Sequence, residues 1–199
     1  MKRASQLLCV VLLSSVAFAQ QLTSADRDKG VAYLQQTEDG VATAVKGLSE
    51  AQLKFKPAPD RWSVAETLEH IALAEDFIFQ NINEKVMKAP AGAASRDTAK
   101  ADAAVLAMVP DRSHKAQAPG PLVPSGRWTP ADTLARFEKS RAHTIEFLQS
   151  TPDLRQHVID SPLGQPLDAY EWLLFIGAHS ARHTKQIEEV KADPNFPKT

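Results

Sequence analysis

The sequence predicts an all-α protein, a four-helix bundle with a long crossover between its second and third helices. Three observations predict it: apolar residues recur at steps of three and four in four separate segments, no stretch alternates apolar and polar residues as a strand does, and a run rich in Ala, Pro and Gly from Ala89 to Gly126 separates the second segment from the third. A crossover of that length lets the middle pair of helices run parallel.

Residues 1–19 are set aside before any fold reasoning. Lys2 and Arg3 give a positive start, Leu7 to Val16 is mostly apolar, and Ala17-Phe18-Ala19 is the small-x-small pattern that precedes signal cleavage. The apolar run falls well short of the roughly 20 residues that span a bilayer. A cleaved signal peptide is therefore expected, with a retained N-terminal anchor as the alternative, followed by a single domain over residues 20–199 in a periplasmic or secreted protein. The only cysteine, Cys9, lies in the leader, so the mature chain would have neither disulfides nor a thiol nucleophile and would depend on its apolar core.

Losing Lys2 and Arg3 with the leader leaves 21 basic against 24 acidic side chains, a formal charge of −3. With no basic block, a nucleic-acid partner is not expected, nor a membrane partner once the leader is cleaved. A chain of this size buries about 70% of its unfolded surface, enough for one fold without staples.

In the first helix Val31, Leu34, Val41, Val45 and Leu48 form the apolar stripe, with Thr23 or Ser24 as N-cap and Gly47 near the end. Glu38 falls on that stripe, at a wet gap or in a polar site. The second helix begins at the capping box Ser63-Val64-Ala65-Glu66, after Pro57 and Pro59 hold the chain extended. Its stripe is Val64, Leu68, Ile71, Ile78 and Ile82, with His70 beside it. Within the crossover, Thr98 to Met108 reads as a short helix ended by Pro110. The rest is either a loose linker or a lid over one end of the bundle.

Thr129 and Pro130 announce the third helix, whose Leu134, Phe137, Thr144 and Leu148 point inward and leave His143 solvated. The fourth begins near Asp168, with Glu171 three residues on. Its stripe runs Trp172, Phe175, Ile176, His179, His183, Ile187 and Val190.

His179 and His183 are four apart, one above the other on the buried face. A protease zinc helix reads H-E-x-x-H with the glutamate as general base. Ser180 stands in that position, which excludes that reading. Buried imidazoles need partners. They are either core groups bonded to carbonyls and hydroxyls or a pair that shares one ligand. His70 on the second helix is placed to join them, giving three nitrogens and an open position, the arrangement of catalytic zinc. Glu66, one turn before His70, either orients that ring or serves the cap alone.

Three separated blocks, GLSEAQLKFKPAPDRWSVAETLEHIALAE, VPDRSHKAQAPGPLVPSGRW and GAHSARHTKQIEEVK, make the chain from about Gly30 to Pro197 resemble the DinB-like superfamily of metal-binding four-helix bundle proteins. The resemblance implies a divalent metal on three histidines, one on the second helix and two on the fourth, which here are His70, His179 and His183. Zinc is expected, and nickel or iron also suits three imidazoles. Characterised relatives include transferases and isomerases that use small thiols, and other members are regarded as hydrolases. The signal peptide departs from that pattern, because those thiols are cytoplasmic, and it shifts the expectation toward hydrolysis.

The sequence thus points to an exported metal-dependent hydrolase or transferase acting on a small molecule. The alternative is a non-catalytic metal-binding or protein-interaction bundle, and a homodimer is compatible with either. The catalytic base is unassigned. Arg182, Arg112 and Trp128 are candidate substrate contacts, against the plainer expectation that an arginine pairs with Glu188 or Glu189 and that the tryptophan belongs to the core.

Overall fold

Thr23 accepts a hydrogen bond from the Asp26 amide and so starts α1 (Ser24–Val45) where the sequence offers a cap. Short helix α2 (Glu50–Lys54) follows. The Ser63–Glu66 box closes reciprocally at the start of α3 (Val64–Glu84), and Asp97 caps α4 (Thr98–Met108) in the crossover. Thr129 caps α5 (Pro130–Ser150), with Pro130 in its first turn. A second reciprocal box, Asp168 with Glu171, opens α6 (Ala169–Lys191). The computed structural model describes residues 21–93, 95–113 and 115–198. The expected signal peptide lies outside the described residues. Among those residues, no helix is long and apolar enough to cross a membrane.

The bundle consists of α1, α3, α5 and α6. Both α1 and α3 pack against α5 and α6. Gly30 faces Tyr170, Gly177 faces Tyr33 and Gly40 faces Thr184, so α1 and α6 run parallel. Asp76 bonds Arg136 and Ser140 while Phe79 meets Phe147 edge-on, so α3 and α5 also run parallel, as the long crossover predicts. The two parallel pairs oppose each other: Gly30 lies near Leu148, whereas Leu34 and Thr37 meet Arg141. Two glycines permit the close approach of α1 and α6. A Cβ on Gly30 would lie 2.8 Å from the Tyr170 ring, and one on Gly177 would lie 3.0 Å from Tyr33.

The structure adds two elements to the four stripes. Helix α1 ends at Val45, and Gly47, at φ +72°, turns the chain toward α2, whose Ser49–Gln52 box also ties Gln52 to the Pro197 carbonyl. Contrary to the expectation of no strand, β1 (Val158–Asp160) and β2 (Pro166–Asp168) form an antiparallel hairpin ahead of α6, with Ile159 opposite Leu167. Three residues per strand are too few for alternation to show.

The crossover is a strap. Arg96 bonds Asp168 and Glu171 at one end of α6, α4 then lies along α6 through Ala101 and Val105, and Arg112 reaches Glu189 near the far end. The remainder packs over the start of α3, where Ser125, Gly126 and Arg127 all donate to the Glu69 carboxylate. Of the two readings of this segment, the packed lid is the one realised.

The core has two apolar clusters, one around Leu34, Ile78, Ile82, Leu148 and Leu173, the other around Val41, Leu68, Ile71, Phe137 and Ile187. Between them lies Arg141, with no solvent exposure. Its guanidinium makes a bidentate pair with Glu75 at 2.9 and 2.7 Å and also donates to the Leu34 carbonyl, Thr37 and Ser180. Thr144 donates to the same carboxylate at 2.8 Å. Every polar atom of this centre is matched, which is the condition for burying two charges.

Removing one partner alone leaves the other as an uncompensated buried charge. Arg141→Met is therefore expected to destabilise the protein by about 3–5 kcal/mol. The double substitution Glu75→Leu, Arg141→Met should cost clearly less than the sum of the two singles. Urea unfolding of the three variants measures this, and additive losses would contradict a coupled pair.

Candidate metal centre

His70 projects from the second turn of α3, and His179 and His183 project from one face of α6, which packs against α3. The structure brings all three together. Their ring centroids are 5.0 Å (His70 to His179), 4.4 Å (His70 to His183) and 4.4 Å (His179 to His183) apart, and one ligand atom from each lies within 4.8 Å of the others. His70 and His183 are buried, and His179 is partly open to solvent.

The hydrogen bonds at the far side of two rings fix their tautomers. His70 Nδ1 lies 2.8 Å from the Leu122 carbonyl oxygen, which can only accept, so Nδ1 carries the proton. His183 Nδ1 lies 2.9 Å from Gln186 Oε1, and that oxygen also receives Arg112 Nη1 at 3.2 Å. Because a guanidinium only donates, it orients the amide oxygen and places the proton of His183 on Nδ1 as well. The two Nε2 atoms therefore present lone pairs to each other across 3.2 Å. Such a contact is repulsive unless a cation or a shared proton lies between them. Two nitrogens at zinc-bond length with a tetrahedral angle would be about 3.3 Å apart, so this donor set fits a divalent ion. Core histidines bonded only to protein groups would leave both Nε2 atoms unsatisfied.

Burial pushes His70 below the ordinary imidazole range, against the Leu122 bond that raises it. Burial, then the neighbouring His70 charge, lowers His183 to about 3. His179 is also held well below the ordinary imidazole range, by burial first and then by the charges of His183, His70 and Arg182. All three are neutral near pH 7, the form that binds metals.

The shell around the rings differs in part from expectation. Glu66 stays in its capping box and pairs with Lys56 at 3.0 Å, so the orienting role toward His70 belongs to the Leu122 carbonyl. Ser180, in the position of the protease glutamate, turns into the core and accepts from Arg141 at 2.9 Å. Arg112 takes Glu189 bidentately at 2.6 and 2.7 Å, the pairing expected of Arg182, whose Nη1 reaches the Val109 carbonyl at 3.5 Å. Trp128 is half-buried between the Arg127 and Arg136 guanidiniums and belongs to neither the core nor the histidine cluster. His143 is exposed, as expected. Glu38 is half-buried, with burial raising its pKa, which suits a wet gap.

Four contributors escaped the sequence reading. Trp62 packs on His70 with ring centroids 4.8 Å apart, and Gln186, one turn after His183, orients that ring. The Leu122 carbonyl left no side-chain signal. Burial is the largest influence on Glu69 and raises its pKa, but the bonds from Ser125, Gly126 and Arg127 together outweigh it and hold the carboxyl low. Glu69 is thus the anchor of the strap beside His70 rather than a base.

Comparison with known proteins agrees with this architecture. The uncharacterized protein YuaE from Bacillus subtilis (strain 168) is 28% identical over 149 residues, 74% of this chain and 88% of its own length. Among solved structures, YfiT from Bacillus subtilis, described as a probable metal-dependent hydrolase with an unusual four-helix bundle topology, superposes with a TM-score of 0.55 at 15% identity, covering 88% of this chain and 91% of that one. Residues 33–187 match the DinB superfamily, and the chain belongs to that superfamily.

Proposed function

We propose that this protein is an exported metal-dependent hydrolase of small molecules, with a divalent ion held by His70, His179 and His183. The observation that carries the reading is the pair of Nε2 lone pairs converging across 3.2 Å, with both Nδ1 protons already engaged elsewhere. Zinc suits three neutral imidazoles, and nickel or iron would also bind them. A divalent ion bound there supplies Lewis acidity. The chain's own groups hold the site: Leu122 and Gln186 fix two ring orientations, Trp62 forms a flat wall beside His70, and the strap covers one side. Hydrolysis is preferred to group transfer because the fold neighbour YfiT is described as a probable metal-dependent hydrolase, and export rests on the pattern of residues 1–19.

A metal binder without turnover is the second reading. It is favoured by the commitment of both carboxylates near His70: Glu66 caps α3 and Glu69 anchors the strap.

Purified without added metal, the protein should carry near-stoichiometric metal by inductively coupled plasma mass spectrometry, and His179→Ala, His183→Ala should carry none. An empty parent, even after reconstitution, would sink both readings. Turnover of an ester, amide or lactone by the loaded parent and not by the double variant would separate the hydrolase from the binder.

A second expectation concerns pH. The folded protein keeps His70, His179 and His183 neutral below the unfolded value of 6.5, so the unfolded chain binds more protons there. Stability of the metal-free protein is therefore full above about pH 6.5 and lost as pH falls toward about 3, by about 1.4 kcal/mol per pH unit for each imidazole still neutral. Thermal unfolding between pH 7.5 and 5 should show this decline, weakened in His183→Gln. A flat profile would contradict neutral buried rings.

A further inference from the structure

Charges, more than apolar packing, join the strap to the first turn of α6. Of the 11 residues of α4, only Ala101 and Val105 are buried. Arg96, ahead of α4, donates to Asp168 Oδ2 at 2.8 Å and also to Glu171 Oε2. Asp102, on α4, takes the Arg155 guanidinium bidentately at 2.8 and 2.7 Å. Arg155 in turn bonds Asp168 at 3.1 Å and Glu171 at 3.3 Å, so these side chains form one network. Asp168 and Glu171 have no solvent exposure, and Arg155 is buried with them.

The network does not balance. Asp102, Asp168 and Glu171 face Arg96 and Arg155, and among the described residues no third cation bonds these carboxylates. On α1, Asp26 adds negative charge and pairs its carboxylate with Lys29 at 3.3 Å. Tyr170 on α6 holds its ring 4.3 Å from the Arg155 guanidinium and donates to the Asp26 carbonyl, and burial raises its pKa and keeps it neutral. Just before β1, His157 bonds the Ala89 carbonyl, and Asp97 is exposed and caps α4. Excess buried negative charge is unfavourable, and a carboxyl relieves it by keeping its proton. Burial first, then the Asp168 charge, lifts Glu171 to about 7, and burial also raises Asp168. Glu171 Oε2 already accepts from Arg96 and from the Asp168 amide, whereas Oε1 has only the long Arg155 contact among the described residues, so the proton belongs on Oε1.

We propose that this network is a proton-linked latch: the strap closes on α6 with one proton taken up at Glu171, and loss of that proton loosens α4. Release of α4 carries Arg96 and Asp102 into water and lets Glu171 return toward its ordinary value of 4.5. The closed strap therefore binds more protons than the open one between 4.5 and about 7, so closure weakens as pH rises through that window and levels off above it. The strap also carries the Leu122 carbonyl and Arg112, which orient His70 and, through Gln186, His183, so the latch governs the cover over the rings. It does not depend on an ion being bound there.

Hydrogen exchange of the α4 amides, followed by mass spectrometry and corrected for the intrinsic rate at each pH, reads this opening. The parent, Asp102→Asn and Glu171→Gln are compared at pH 6 and pH 8 with equal metal content. Each variant leaves two carboxylates against two guanidiniums, and Gln also serves in a capping box. With a carboxyl titrating at about 7 in the parent alone, its ratio of α4 protection at pH 6 to that at pH 8 should exceed the ratio in either variant by about tenfold. Histidine titration is common to all three proteins and cancels. Should Glu171→Gln fail to fold, Asp102→Asn, at a partly exposed position, decides alone. Equal ratios in the parent and in either folded variant overturn the latch.

Discussion

The buried ion pair between Arg141 and Glu75 is the constraint on which the rest of the bundle depends. One guanidinium touches all four long helices: Glu75 on α3, the Leu34 carbonyl and Thr37 on α1, Ser180 on α6, and its own helix α5. Apolar packing is non-directional and tolerates sliding. A buried charge does not, because any shift that breaks one of its bonds exposes an uncompensated group to a low-dielectric interior. The pair thus selects one register among those that the two flanking apolar clusters would otherwise allow.

That register is also what assembles the histidines. Glu75 lies five residues beyond His70 on α3, and Ser180 immediately follows His179 on α6, so Arg141 sets the relative height of the two helices that carry the rings. The crossover then fixes the rings from outside. Glu69, adjacent to His70, anchors Ser125 to Arg127, and this places the Leu122 carbonyl on His70 Nδ1. Arg112, from the same segment, orients Gln186 and through it His183. The core determines where the rings stand, and the strap determines which nitrogen of His70 and of His183 faces its neighbour.

The donors of this centre are three uncharged imidazoles, as in catalytic zinc sites. The carboxylates close in sequence to His70 are taken up by a helix cap and by the strap. Membership of the DinB superfamily accounts for the frame. Around α6, Arg112 pairs with Glu189 and Gln186, and Arg182 reaches the Val109 carbonyl.

The sequence by itself determined the four helices, their caps, the short helix of the crossover and the two histidines that α6 must present together, because all of these follow from local periodicity and capping chemistry. It also contained the ion pair in outline. The α3 stripe of Leu68, Ile71, Ile78 and Ile82 skips Glu75, and the α5 stripe of Leu134, Phe137, Thr144 and Leu148 skips Arg141, each at the position that helical spacing assigns to the interior. Periodicity shows two charged residues at buried positions but not that they meet. Only the tertiary structure decided that pairing, the inward turn of Ser180, the hairpin of three-residue strands and the contact of the Leu122 carbonyl with a ring 52 residues earlier. The hairpin is local, but its strands are too short for alternation to show; the others depend on groups brought together from distant parts of the chain, and the Leu122 contact is made by a backbone atom, which every residue type carries alike.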